Sequence, residues 1–271
     1  MTEAACRFGR HDHLIGVLST PDSRDAAAPR PGVILLNAGL VHRIGPFRMT
    51  VELARMLAGQ GYAALRFDLS TIGDSGGTAD AGSREDQVLA DVQDAMAALQ
   101  QHAGCSRFVL MGLCSGAQNA HHVAHSDPRV AGAVFMDGFA YRTRGFYLRH
   151  YLPRLLHPGR VARAAWRRLR RIGRRDDVDL PGFAVEWPPR QQVVSELTDM
   201  VRQERKLCFI YSGGALGYFN HPRQFGECFG SLAADPNVQV RTFPEADHTF
   251  ILAGDRARLR EAIADWMQQS F

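Results

Sequence analysis

A cysteine, Cys114, lies between two glycines with one residue separating it from each. Gly112 and Gly116 give the spacing of the G-x-S-x-G turn, which carries a nucleophile between a strand and a helix. Small residues are needed because this sharp turn brings neighbouring backbone very close and holds the nucleophile in a strained, exposed conformation. Ser115 is the alternative nucleophile, but a turn centred on Ser115 would need a small residue two positions before it, where Leu113 stands. We therefore predict that Cys114 is the nucleophile, with a buried cysteine on a glycine-rich turn as the non-catalytic alternative.

The segments around this turn alternate between strand and helix patterns. Short apolar runs predict buried strands at 33–36, 62–68, 107–111, 130–136, 207–211 and 238–243. Apolar residues at helical spacing predict helices at about 47–60, 84–102, 117–125 and 255–268. Strands that alternate with helices predict a mostly parallel α/β sheet flanked by helices.

The chain resembles an α/β-hydrolase over most of its length. Residues 66–76, RFDLSTIGDSG, are similar to the D-x-x-G-x-G-x-S loop that many members carry after their fourth strand. Residues 246–250, ADHTF, lie where the family places its catalytic histidine. The cysteine turn resembles that of dienelactone hydrolases. The segment from Asn37 to Pro46 and the 66–76 loop resemble bacterial hydrolases found beside exosortase systems.

The resemblance implies a base and an oxyanion hole for the cysteine. The family's order places the histidine on the loop after the last strand, so His248 is the expected base among eleven histidines. The oxyanion hole is expected from the backbone N–H of Ser115 and one N–H after Leu36, from either Gly39 or Leu40. Preorganised donors of this kind best meet developing negative charge. For the loop after Leu36, a simple strand-ending turn is the alternative.

The acid departs from the family's pattern. Most members keep an Asp after the strand that precedes the last one, but here that strand runs into SGGALG at 212–217, without a carboxylate. Asp137 follows the strand at 130–136, where some members place their acid, and is the predicted substitute. A helix N-cap or a loop carboxylate is the alternative for Asp137. A cysteine enzyme depends less on this acid, because a cysteine's pKa begins only about 1.5 units above neutral.

Between Phe139 and Lys206 the alternation of strands and helices stops, at the point where this family often inserts a lid. We predict a core at 1–138 and 207–271 and an Arg-rich helical lid at 139–206. Residues 141–175 hold twelve Arg and no Asp or Glu. The whole chain has 32 basic and 28 acidic residues, so the residues outside 141–175 comprise 20 basic and 28 acidic ones.

Within this segment the pattern predicts a basic amphipathic helix. Its candidate binding residues are Arg163, Arg167, Arg170, Arg171 and Arg174. Arginine matches phosphate and carboxylate geometry, so coenzyme A, an acyl carrier protein or an anionic membrane surface are candidate partners. A solvated face with no partner is the alternative.

Length and composition predict one compact domain without a cofactor. A chain of 271 residues with 45% hydrophobic residues can bury a full core without disulfides or metals. Five cysteines without CxxC pairing indicate neither a disulfide framework nor a zinc site. His121, His122 and His125 lack a ligand nearby in the sequence, so no metal site is predicted. Without an apolar leader or an apolar run near ~18 residues, we expect a cytoplasmic protein with no nucleic-acid partner.

Two classes of function remain open. The first is an acyl-transfer enzyme, most simply a hydrolase of thioesters or esters that works through an acyl-cysteine. Transfer of the acyl group to an amine or alcohol is a variant of this class. The second is a non-catalytic hydrolase-fold module that binds a ligand or partner, which the missing usual acid favours.

Overall fold

The computed structural model of the chain describes residues 1–22, 30–78, 82–155 and 187–271. They form one eight-stranded sheet with the strand order β1-β2-β4-β3-β5-β6-β7-β8. The strands are β1 (Thr2–Phe8), β2 (Leu14–Thr20), β3 (Gly32–Leu35), β4 (Ala64–Phe67), β5 (Phe108–Leu113), β6 (Val130–Met136), β7 (Lys206–Ser212) and β8 (Val238–Phe243).

Seven α-helices surround the sheet in the described residues. They are α1 (Met49–Gly59), α2 (Arg84–Ala103), α3 (Ser115–Ser126), α4 (Arg144–Leu155), α5 (Arg190–Arg202), α6 (Gln224–Phe229) and α7 (Ala253–Ser270). Local sequence sets the ends of α2: Ser83 and Asp86 form a capping box, and Gly104 follows in a left-handed conformation.

The sheet is parallel except at one side. β2 pairs antiparallel with both β1 and β4, whereas β3 through β8 pair in parallel with one another. All six residues of β5 and all seven of β6 are buried, as expected for parallel strands covered on both faces. The predicted α/β-hydrolase fold class is confirmed by this sheet and its flanking helices.

Two hydrophobic clusters fill the two faces of the sheet. One joins the strands to α2, α3, α5 and α6, and the other joins them to α1 and α7. Because parallel strands run in the same direction, the carboxyl ends of β3, β5, β6, β7 and β8 lie at one edge of the sheet. Ligand sites of open α/β sheets lie outside that edge.

Two parts of the chain differ from the sequence prediction. The hairpin of β1 and β2 lies before the first predicted strand, and α5 falls inside the segment assigned to the lid. Four buried residues of α5 belong to the larger core cluster, namely Val193, Leu197, Met200 and Val201. The predicted division at 139 and 206 stays a prediction. Arg163, Arg167, Arg170, Arg171 and Arg174 lie outside the described residues.

None of the helices in the described part of the chain combines the length and the apolar character needed to cross a bilayer.

Candidate active site

Cys114 occupies a strained turn between β5 and α3. Its φ is 57° and its ψ is −118°, a conformation that costs a non-glycine residue on the order of 1–3 kcal/mol. A Cβ on Gly112 would overlap the carbonyl of Gly116, and one on Gly116 would lie 2.5 Å from the carbonyl oxygen of Asn37. Both glycines are therefore required by close backbone approach, which is the physical reason for the spacing found in the sequence.

His248 faces this turn from the loop after β8. Its Nδ1 donates to Oδ2 of Asp137 across 2.7 Å, which leaves the other ring nitrogen for the hydrogen bond with Cys114. The structure thus brings together the predicted nucleophile, base and acid in one hydrogen-bonded chain. Their catalytic roles stay predictions, because contact alone does not establish turnover.

Asp137 is buried at the end of β6 and fully engaged. Its side chain is 1% exposed, and besides His248 it accepts hydrogen bonds from Ser212 N at 2.7 Å and Ser212 Oγ at 2.5 Å. The Tyr218 hydroxyl donates to the Asp137 carbonyl at 2.9 Å. Three donors to one carboxylate compensate the cost of burying its charge.

The glycine-rich turn after β7 has no room for a side chain at two of its positions. A Cβ on Gly214 would overlap His248, and one on Gly213 would overlap the carbonyl of Pro244. Ser212, the first residue of this turn, instead donates to Asp137. The turn therefore supports an acid carried by the neighbouring strand.

The three groups set each other's charge. The hydrogen bond with His248 lowers the pKa of the Cys114 thiol below its ordinary value, although burial opposes this. The hydrogen bonds with Asp137 and Cys114 raise the pKa of His248 from 6.5 to about 10. Both shifts favour a thiolate beside an imidazolium at neutral pH, which is the reactive form of a cysteine nucleophile.

The predicted oxyanion donors do not all have the expected arrangement. The backbone N–H of Ser115 lies beside the Cys114 sulfur and helps to lower the pKa of that thiol. The Gly39 N–H is bonded to Ser115 Oγ at 2.7 Å, so it is not directed at a substrate oxygen here. Leu40 is 57% exposed on the same loop. The direct donor roles of Gly39 and Leu40 stay predictions.

A polar network that the sequence analysis did not find holds the loop after β3. Asp68 is fully buried and accepts from Asn37 Nδ2 at 3.0 Å, Arg43 N at 2.6 Å and Asp74 N at 3.2 Å. The Arg43 guanidinium also bonds Asp68 and reaches Asp74 at 2.8 Å. Leu69 N donates to Asn37 Oδ1 at 2.9 Å. The likeness of residues 66–76 to the family's D-x-x-G-x-G-x-S loop marked this loop in the sequence, although Thr71 stands where that pattern has its first glycine after Asp68.

One cluster in the described residues has the ligand types of a metal site, namely His42, Asp68 and Asp74. Arg43 Nη1 lies 2.7 Å from His42 Nε2 and 2.8 Å from Asp74 Oδ2, and it also bonds Asp68. The positively charged guanidinium of Arg43 therefore occupies the position that a metal cation would take.

His121, named earlier as lacking a ligand nearby in the sequence, bonds Glu196 on α5 at 2.7 Å and packs on Phe139.

Aromatic side chains form one wall beside the acid. Trp187 packs against Tyr218 with ring centroids 4.9 Å apart and against Phe139 at 5.7 Å. Burial raises the pKa of Tyr218 above its usual range, so its hydroxyl stays protonated and donates to Asp137. Apolar side chains on the loops at this edge are exposed, including Leu40, Leu216 and Ile251. Such surroundings suit the apolar part of a substrate.

Comparison with known proteins agrees with this fold. The model of the dienelactone hydrolase family matches residues 15–145. An esterase from Pyrococcus furiosus is 16% identical, with a TM-score of 0.64 over 99% of this chain and 91% of that chain. A lidless α/β serine hydrolase from Xanthomonas campestris is 14% identical, with a TM-score of 0.59 over 99% of this chain and 95% of that chain.

A putative α/β hydrolase of unknown function from Agrobacterium tumefaciens is 16% identical, with a TM-score of 0.59 over 99% of this chain and 95% of that chain. No curated protein matches the chain significantly. The sheet order, the nucleophile turn and these matches define the fold: the chain has the architecture of the α/β hydrolases, and its residues 15–145 match the dienelactone hydrolase family.

Proposed function

We propose that the protein hydrolyses esters, and thioesters in particular, through an acyl-cysteine at Cys114. The observation that carries this proposal is the hydrogen-bonded chain from Cys114 through His248 to the buried Asp137. Nucleophile, base and orienting acid in contact are the arrangement that nucleophilic acyl transfer needs. The family match and the esterase among the structural neighbours support the ester-hydrolase class.

Acylation begins from the thiolate–imidazolium pair. The Cys114 thiolate attacks the substrate carbonyl carbon, a C–S bond forms, and the carbonyl electron pair moves to oxygen. When the tetrahedral intermediate collapses, the bond to the leaving alkoxide or thiolate breaks, and His248 gives that group its proton. The enzyme is left as an acyl-cysteine with a neutral imidazole, oriented by Asp137.

Deacylation restores the resting pair. Water attacks the acyl carbon while neutral His248 takes a proton from it. Collapse of the second intermediate breaks the C–S bond and expels the Cys114 thiolate beside the reformed imidazolium. The balance is one ester or thioester and one water consumed, and one carboxylic acid and one alcohol or thiol released.

The proposal of a thioester on a phosphate-bearing carrier rests on leaving-group chemistry and on charge. A leaving thiolate is a much weaker base than a leaving alkoxide, so its expulsion depends less on protonation by His248. The twelve arginines at 141–175 would suit coenzyme A or an acidic acyl carrier protein. Transfer to an amine or alcohol would share the same acyl-cysteine. The non-catalytic alternative depended on a missing acid, and Asp137 supplies a carboxylate to His248.

Intact-mass analysis after incubation with a panel of acyl thioesters and aryl esters tests the proposal. Wild-type protein should gain one acyl mass, and Cys114→Ala should gain none. Cys6→Ala, which removes a half-buried thiol on β1, is the matched control and should behave as wild type. His248→Ala should slow acylation by at least ~100-fold. Product analysis with and without added amines separates hydrolysis from transfer. An adduct on another residue, or none with any substrate, contradicts the proposal.

A further inference from the structure

The side chain of Ser115 joins the nucleophile turn to the loop after β3. Its Oγ accepts the Gly39 N–H at 2.7 Å, across 76 residues of sequence. Ser115 is the residue directly after Cys114 and opens α3. This places a hydroxyl, besides a backbone N–H, immediately beside the reacting sulfur.

The donor capacity of this hydroxyl is unused in the described part of the chain. A serine hydroxyl can donate one hydrogen bond and accept others. Ser115 Oγ accepts from Gly39, while no described residue accepts its proton. A hydroxyl that already accepts a hydrogen bond is polarised and becomes a better donor, because hydrogen bonds in a chain strengthen one another.

We propose that the Ser115 hydroxyl is a catalytic donor to the oxyanion of the tetrahedral intermediate, acting together with the Ser115 backbone N–H. The Gly39 N–H then orients and polarises this hydroxyl instead of contacting the substrate directly. For Gly39 to serve as the direct donor, the hydroxyl would first have to leave, breaking a short hydrogen bond. The inference rests on the proposed function, because it assigns a role within acyl transfer at Cys114.

Two reagents separate an oxyanion effect from an effect on the thiol. A trifluoromethyl ketone accepts the Cys114 thiolate at its carbonyl and forms a tetrahedral adduct with a negatively charged oxygen. Iodoacetamide is attacked at carbon with loss of iodide, so no oxyanion develops. Both can be measured without any ester turnover, by inhibition constants for the ketone and alkylation rates for iodoacetamide.

Ser115→Ala should weaken the ketone adduct by ~10²–10³-fold, the usual loss for one oxyanion donor. Its iodoacetamide rate should stay within about twofold of wild type. Ser126→Ala, the same change at the exposed end of α3, is the matched control and should alter neither measurement.

Three outcomes overturn the proposal. An unchanged or tighter ketone adduct in Ser115→Ala would mean that the Gly39 N–H is the direct donor and that the Ser115 hydroxyl only occupies this N–H in the free protein. Equal losses with both reagents would place the effect on the thiol. A wild-type protein that reacts with iodoacetamide but binds no ketone would have no oxyanion hole. In contrast, Ser115→Ala could weaken the ketone adduct as expected while the wild-type protein turns over no ester or thioester. That outcome would leave Ser115 as the donor and contradict only the proposed function.

Discussion

At the residue scale, His248 links a buried acid to a half-buried thiol, and the direction of each pKa shift sets a pH window. Because the pKa of Cys114 is lowered, its thiolate forms at a pH below the ordinary pKa of a cysteine. The imidazolium of His248 persists up to about pH 10. Acyl transfer needs both forms, so activity should rise as Cys114 ionises and fall as His248 loses its proton near pH 10.

Asp137→Asn should lower the upper limit of this window. The amide cannot raise the pKa of His248 as the carboxylate does, so the alkaline fall in kcat/KM should move toward lower pH. Turnover should drop by at least ~10-fold, but by less than the ~10⁴-fold seen when a serine enzyme loses this group. The pH dependence of kcat/KM measures the shift, and circular dichroism checks that the protein is folded.

Asp199→Asn, on the surface of α5, is the matched control and should keep the wild-type profile. An Asp137→Asn variant with an unmoved alkaline limit would show that another group sets the protonation of His248.

The sequence pointed to Cys114 through its flanking glycines, and to His248 and Asp137 through the order of landmarks in the family that the chain resembles; the structure brings the three side chains together, and their catalytic roles stay predictions. Strand ends in a parallel sheet meet at one edge, so their side chains converge. The Gly39–Ser115 bond and the role of Arg43 left no such signal. They depend on how two loops fold over one another, and backbone donors carry no side-chain signature.

At the element scale, the turn after β7 is held against the histidine loop by Gly214. A Cβ there would overlap His248, so Gly214→Ala should displace the imidazole and reduce the rate of Cys114 acylation by at least ~10-fold, since an ångström of misplacement is costly. Burst-phase acylation measures the effect.

Gly217→Ala is the matched control, because a Cβ at this position in the same turn meets nothing within 4 Å. It should acylate at the wild-type rate. Similar behaviour of the two variants would mean that the turn adjusts without moving His248.

The network around Asp68 fixes the loop that carries Gly39. Asp68→Asn would leave the largely buried Arg43 with only the exposed Asp74 as a charged partner. Breaking a buried ion pair by removing one partner costs about 3–5 kcal/mol, and we expect a similar fall in the free energy of unfolding. Urea denaturation measures it.

Asp74→Asn removes the other carboxylate bonded to the same guanidinium, one that is 60% exposed. An exposed pair contributes about 0–1 kcal/mol, so this control should unfold close to wild type. Equal losses in the two variants would place the stabilisation in the exposed pair instead.

Elements with a clear pattern could be predicted, whether central or at an edge. The predicted bounds of β6 match the observed ones because an apolar run defines that strand, and those of the edge strand β8 match because apolar and polar residues alternate from Val238 to Arg241. β1 has a mixed burial pattern at the edge of the sheet, so its sequence lacks the clean alternation that marks a strand. Helix α5 was not predicted separately, although Val193, Leu197, Met200 and Val201 recur at helical spacing, because the whole segment 139–206 was assigned to a lid.

At the scale of the whole molecule, the sequence separates charge strongly between residues 141–175 and the remainder. If Arg163, Arg167, Arg170, Arg171 and Arg174 attract an anionic carrier, kcat/KM on a carrier-bound thioester should fall steeply between ~50 and ~500 mM salt, since screening weakens long-range attraction. A small neutral ester should change little.

Replacing these five arginines with glutamine should reproduce the loss for the carrier-bound substrate alone. Equal responses of both substrates to salt and to the substitutions would make the basic segment a solvated face, and carrier recognition would be abandoned.

The positions of the strands within the sheet divide the site into a durable and a labile part. Cys114 and Asp137 end the adjacent, fully buried strands β5 and β6, where Cys114 N donates to Met136 O at 2.9 Å. His248 follows β8, an edge strand with no fully buried residue. Edges open more readily than central strands, so amide exchange should be faster in β8 than in β5 and β6. Heating should then abolish activity by displacing His248 while Cys114 and Asp137 keep their spacing. Cooling should restore that activity.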